Sequence, residues 1–352
     1  MQEQLQPRDD AEVADTLELL ADSLYWTGDF DDSQRAAEQS VRILRDLHRG
    51  DDRALARAMI TLAAAQLWLG QAEDGIRNGG EALQMFSRLD PGGSLRTAAA
   101  LHTLGGGLYW VGQHHLAQEL DRRALQLRRE LLPADHPATA ATLADLAANL
   151  FWLGEYQPAL RACTDALDMD RRLYDGDHPH ITWCLIILAS CEHRQDRPDR
   201  AVELHREGLE MGLRYFGTQD RPSLCLSFAG LASALNDLAQ HNEAVERAGE
   251  GDAMALRFFQ AEPHPILAIT ATQLARSQYL AGDTGTAADT ARRAVDLARR
   301  ISLPTAHPIR QSALTVGIQA LAAVDDARTS LLREELAQAQ AEAHTEDPRS
   351  GA

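Results

Sequence analysis

The side chains most suggestive of chemistry are histidines that recur before proline, His136, His178, His264 and His307, at multiples of 42 or 43 residues. A zinc ligand sits about 2 Å from its metal, whereas equivalent positions two helix-packing distances apart stand on the order of 20 Å from one another. These histidines therefore cannot share an ion, and each reads as part of a helix-start signal. Asp177-His178-Pro179-His180 is a local cluster, but it coincides with such a start. His114 and His115 follow Gly112 in a predicted turn and are expected to be solvated. Cys163, Cys184, Cys191 and Cys225 lie within predicted helices without CxxC or Cys/His ligand spacing, which reads as buried thiols in a reducing compartment. The chain contains no lysine, so the usual phosphate-binding loop is impossible. No Ser/His/Asp combination has a motif around it. We expect a non-enzymatic protein, with no catalytic residue, metal or cofactor.

The aromatic residues have a spacing that suits binding instead. Trp26, Trp68, Trp110 and Trp152 form a column at 42-residue steps, each two residues before a glycine, and the preceding column reads Tyr25, Leu67, Tyr109, Phe151. Positions back by four, seven and eleven share a helix face. Behind Trp152 these are Ala148, Asp145 and Ala141; behind Trp110, Gly106, Thr103 and Ala99; behind Trp68, Ala64, Thr61 and Arg57; behind Trp26, Asp22, Leu19 and Asp15. That face is small and polar, unlike the leucine stripe of the same helices. We place the tryptophans on a concave face or its rim, with packing between repeats as the alternative. The candidate groove comprises Tyr25, Trp26, Leu67, Trp68, His102, Tyr109, Trp110, Phe151 and Trp152, continued by Trp183 and His193. Aromatic walls of this kind favour apolar or arginine-bearing peptides. The ladder stops at His193-Arg194, and Asn236-Asp237 continue the columns in polar form.

The elements that position these residues follow from the repeat. In 135–174 a polar pair and a proline open a helix, since proline at the first helical position loses no hydrogen bond. Leu143, Leu146, Leu150 and Leu153 then form one apolar stripe, Gly154 marks a turn, and a second helix runs from about Tyr156 to Tyr174. The start recurs at Pro179, Pro222, Pro265 and Pro308, and the turn at Gly28, Gly70, Gly112, Gly154, Asp196, Ala239 and Gly282. Five residues after each turn stands a small residue: Ser33, Gly75, Ala117, Ala159, Ala201, Ala244 and Ala287. A fixed period of this length signals a helical solenoid. We expect an all-α, right-handed α-solenoid of about seven antiparallel helix pairs. The lead-in is 1–8, the repeats are 9–51, 52–93, 94–135, 136–177, 178–220, 221–263 and 264–306, capping helices occupy 307–345, and a disordered tail spans 346–352. Gly249 and Gly251 interrupt the sixth unit's second helix and predict a bend or local mobility there.

The pattern DHPxxAxxLxxLAxxLxxxGxYxxALxxxxxAL at 135–167 resembles tetratricopeptide repeats of the longer, kinesin-light-chain type, and the resemblance extends over residues 9 to about 306. It implies a right-handed superhelix whose concave groove binds peptides or proteins. The groove asparagines of eukaryotic kinesin light chains are replaced here by Thr61, Thr103, Asp145 and similar residues, so cargo specificity does not transfer. Bacterial look-alikes often accompany signalling kinases or ATPase modules.

Charge narrows the partner. The net charge is -18, and residues 1–50 alone hold 12 acids against 5 arginines. Phosphate recognition depends on concentrated basic residues, so nucleic acid is excluded as the main ligand and a basic or apolar protein or peptide is favoured. The paired arginines 122/123, 128/129, 171/172, 292/293 and 299/300, with acids nearby, read as an exposed convex face. The longest apolar run, Ile181 to Cys191, is too short to span a bilayer, and a cytoplasmic location is expected. The leading reading is a protein- or peptide-binding scaffold. The alternatives are a regulatory or sensory arm of a larger bacterial signalling protein, such as a Ser/Thr kinase, and a self-associating structural solenoid.

Overall fold

The computed structural model describes residues 7–260, 263–301 and 303–346, so the tail from 347 and residues 1–6 of the lead-in lie outside the described residues. Among these there are sixteen helices and no strand. They fall into two compact units, one ending at Leu153 and one beginning at Gly154. The first unit contains α1 (Pro7–Thr27), α2 (Phe30–Leu47), α3 (Arg53–Trp68), α4 (Ala72–Leu89), α5 (Leu95–Trp110), α6 (His114–Leu131) and α7 (Pro137–Trp152). The second contains α8 (Tyr156–Leu173), α9 (Pro179–His193), α10 (Pro198–Phe216), α11 (Pro222–Asp237), α12 (His241–Phe259), α13 (Pro265–Leu280), α14 (Thr284–Arg300), α15 (Pro308–Ala322) and α16 (Arg328–Glu346). Within each unit consecutive helices pack on one another, which makes the chain an all-α array of helix pairs.

The His-Pro signal is a cap. In His136, His178, His264 and His307 the imidazole Nδ1 accepts the amide N–H two residues on, at 3.1, 3.2, 3.2 and 3.2 Å, and proline occupies the first helical position. The ring does the work that Ser or Asp does elsewhere, satisfying an amide that has no partner inside the helix. The turn column needs a conformation rather than a small side chain. Gly28, Gly70, Gly112, Gly154 and Gly282 have φ between 76° and 89°, and Asp196 and Ala239, at 58° and 57°, adopt the left-handed region without being glycine.

The column five residues later is small because the two helices of a pair touch there. Ser33 and Ala117 are fully buried, as are Ala159, Ala201, Ala244 and Ala287, and a Cβ on Gly75 would lie 2.7 Å from Leu67 Cδ2. The same logic corrects the expectation for Gly249 and Gly251. Helix α12 runs unbroken from His241 to Phe259, and Gly251 is present because a Cβ there would stand 2.6 Å from Phe228 Cβ on α11.

Odd-numbered helices also touch one another directly: α1 meets α3, α3 meets α5, and in the second unit α9 meets α11 and α11 meets α13. Successive even-numbered helices are bridged by long side chains, Arg45–Glu81 at 3.1 Å, Arg171–Glu207 at 3.2 Å and Arg206–Glu243 at 2.7 Å. Among the described residues the even-numbered helices make no comparable direct approach to one another. Further arginines close individual repeats: Arg214 and Arg257 make bidentate pairs with Asp177 and Asp220. All four cysteines are buried and unpaired.

Candidate functional site

The odd-numbered helices of the first unit carry the aromatic column, at the C-terminal ends of α3, α5 and α7. Tyr25, Trp68, Tyr109, Trp110, Phe151 and Trp152 are half-buried, while Leu67 is buried. The Trp26 side chain lies outside the described residues. Trp68 Nε1 donates to the Tyr25 hydroxyl at 3.1 Å and Trp152 Nε1 to the Tyr109 hydroxyl at 3.0 Å, in each case one repeat back. Trp68 packs edge-on to Trp110, with centroids 5.7 Å apart. Packing between repeats and partial exposure thus coexist in one column.

Two members of this aromatic array come from the second helices. Phe30 stacks on Trp68 at 5.5 Å and 7°, and His114 stacks on Trp152 at 5.7 Å and 7°. Both occupy the first residue of their helix, α2 and α6, and Tyr156 holds the same place in α8; that column was the available sequence signal. His114 is accordingly not solvated. It is buried, its Nδ1 lies 3.2 Å from Asn149 Oδ1, and burial lowers its pKa to about 4.

Beneath the column runs a polar network. His102 on α5 places Nδ1 3.7 Å from Asp121 Oδ1 and Nε2 3.6 Å from Asp145 Oδ2. Asn149 Nδ2 donates to Asp121 Oδ2 at 3.0 Å, and Arg128 donates to the Ala138 carbonyl at 2.7 Å and to Thr142. Asp121 is fully buried, and desolvation pushes its pKa up to about 8 despite the Asn149 hydrogen bond and nearby Arg128. Burial lowers His102 to about 4 and Arg128 to about 10. At neutral pH the network therefore holds a neutral acid, a neutral imidazole, and the Arg128 and Asp145 charges. Burial first, and then the field of Asp145, raises the Tyr25 and Tyr109 hydroxyls to about 12, with Asp22 adding to Tyr25. Asp145 stands on α7 and the two tyrosines on α1 and α5, each the first helix of its pair. Arg57 pairs there with Asp15 at 2.8 Å and Glu18 at 2.9 Å. Gly106, one turn before Trp110, faces open space: a Cβ there meets no atom within 4 Å.

Trp183 and His193 belong to the second unit. Trp183 is half-buried near the start of α9. His193 Nε2 lies 2.7 Å from Asp237 Oδ2, and Arg276 reaches the other oxygen at 2.9 Å, so in that unit the aromatic columns give way to an ion network. Among the described residues no helix is long and apolar enough to cross a membrane, and no group of three His, Cys, Asp or Glu side chains is placed to hold a metal.

Residues 96–162 and 143–213 match the tetratricopeptide repeat family. No curated protein matches the chain significantly. Among solved structures, a Rap protein complexed with competence and sporulation factor superposes with a TM-score of 0.65 at 10% identity, covering 95% of this chain and 99% of that one. NprR in complex with its cognate peptide NprX gives 0.60 at 11% identity over 89% and 88%. BtubC (BKLC) from P. vanneervenii gives 0.50 at 19% identity over 65% and 90%. Each of these likenesses concerns the fold. Residues 96–213 thus carry tetratricopeptide repeats, and the 42-residue period continues the same paired-helix pattern on either side of them.

Proposed function

We propose that the chain is a non-enzymatic scaffold that binds a peptide or protein segment along the inner face of α1, α3, α5 and α7. The observation that carries this reading is the half-buried column of Trp68, Trp110 and Trp152 beside the open space at Gly106. Aromatic rings with vacant space next to them accept an inserted side chain at low entropic cost. Asp15, Asp22 and Asp145 make arginine-bearing or apolar segments the better fit than acidic ones. The Rap and NprR structures support the mode, since each holds a signalling factor or peptide on the same kind of fold. The four buried, unpaired cysteines suit action in a reducing, cytoplasmic compartment.

Substitution of the tryptophans would confound binding with packing, because two of them bond to the preceding repeat. Gly106→Leu avoids this: the new side chain enters empty space and improves helix propensity by about 1 kcal/mol. Wild type and Gly106→Leu are compared in selection from a random peptide display library. The expected outcome is a family of apolar, arginine-containing peptides retained by wild type and lost on Gly106→Leu, with the melting temperature unchanged or raised. Equal retention by both proteins would overturn the reading.

A second reading, the sensory arm of a larger signalling protein, draws support from the same two peptide complexes. A kinase or ATPase module encoded in frame with this chain would establish it, and a chain ending on both sides in untranslated sequence would exclude it.

A further inference from the structure

Helix α1 displays a packing stripe that the next repeat buries. Val13 and Leu20 are 45% and 49% exposed, whereas Leu55 and Leu62, 42 residues on, are 3% and 5% exposed. Further along the same two columns, Ile181 and Leu224, and Leu146 and Leu231, are all buried. In those repeats the second helix of the preceding pair lies against the stripe: Gly79 of α4 has its Cβ position 3.8 Å from Leu104 of α5, in the Leu20 column, and Gly212 of α10 has its Cβ position only 2.4 Å from Leu224 of α11, in the Val13 column. The equivalent second-helix positions elsewhere include Leu44, Phe86 and Cys163, so the internal interfaces define what fits on α1 as an amphipathic helix with an apolar face of small or large residues.

Charge selects among such helices. α1 is acidic, with Asp10 and Glu12 close to Val13, although Asp15 and Glu18 are already paired with Arg57. Two copies meeting through α1 would set these acids against each other in a chain already at -18. A basic helix would be attracted. We propose that the exposed Val13–Leu20 stripe of α1 is a docking surface for a basic amphipathic helix, separate from the inner aromatic face.

The chain itself supplies a probe of that chemistry. The segment 284–300 carries four arginines and two aspartates, a net of +2, and its buried residues include Ala287, Ala291, Ala294, Val295, Leu297 and Ala298. Labelled, end-blocked peptide 284–300 is titrated into the full chain by fluorescence anisotropy, in parallel with the Val13→Asp/Leu20→Asp variant. Leu20→Ser provides a milder second variant should the double substitution disturb folding. The stripe is exposed, so circular dichroism and melting of the variants should match wild type. Saturable binding, weakened about tenfold or more by the double substitution and falling with salt, is expected. Peptide 30–47, with three arginines against four acids, should bind markedly less well. Absence of binding, equal binding by the variants, or equal binding of peptide 30–47 each overturns the proposal. So does a concentration-dependent dimer in light scattering that the double substitution abolishes, since a second copy would then occupy the stripe.

Discussion

The indole N–H of Trp152 donates to the hydroxyl of Tyr109, 3.0 Å away and one repeat earlier, and Trp68 repeats the bond to Tyr25. The pairs join the first helices of successive repeats at their C-terminal ends. Tyr109→Phe removes the acceptor and keeps the ring. It should cost about 1 kcal/mol, the usual net worth of one hydrogen bond, read as a lower urea midpoint at unchanged slope. A variant as stable as wild type would mean that water replaces the hydroxyl at no cost.

The pH dependence of stability has two limbs. Asp121 and Asp170 are raised by burial to about 8 and about 7 from 3.8, so the folded state keeps protons that the unfolded chain has lost. Stability therefore falls as pH rises, through pH 7 for Asp170 and on to pH 8 for Asp121, by roughly 1.4 kcal/mol per pH unit for each proton held. Asp121→Asn should flatten the limb between pH 7 and 8 in denaturant titrations. A slope unchanged by this substitution would assign the limb to another group.

The acid limb belongs to the histidines. His264 and His205 are lowered to about 3 by burial, and His178 to about 4, chiefly by burial and then by His180. Each contributes stability that is fully present above the unfolded value near 6.5 and is lost as pH falls through the folded value. His264 is also a cap whose Nδ1 must be unprotonated to accept from Ile266. His264→Asn keeps a capping acceptor and removes the titration, so the ratio of its stability at pH 7 to that at pH 5 should be smaller than in wild type. Identical acid sensitivity would show that His264 does not titrate across this range.

Two glycines in α12 should respond with opposite sign. A Cβ at Gly249 meets nothing within 4 Å, so Gly249→Ala should stabilise by about 0.5–1 kcal/mol through helix propensity. At Gly251 the new methyl would crowd the Phe228 Cβ and the Cys225 carbonyl, and overpacking of about 1–3 kcal/mol should exceed that gain. Thermal melts of the two variants read the difference directly. A common sign would mean that α12 shifts away from α11 at little cost.

The period, the His-Pro starts and the left-handed turn column were legible in the sequence because each is a local requirement repeated many times: a cap, a fixed φ, a small residue at a contact. Local rules also located the aromatic columns and the change to polar residues at His193. Sequence could not determine what lies across from a side chain. Phe30 and His114 join the ladder from the second helices, Gly251 serves an approach of two helices rather than a bend, and Asp121 is held neutral beneath the inner face. The exposure of Val13 and Leu20 is likewise invisible in their identities, since Leu55 and Leu62, at the equivalent positions of the next repeat, are buried. Burial and partnership depend on neighbours distant in the chain, and only the tertiary structure supplies those.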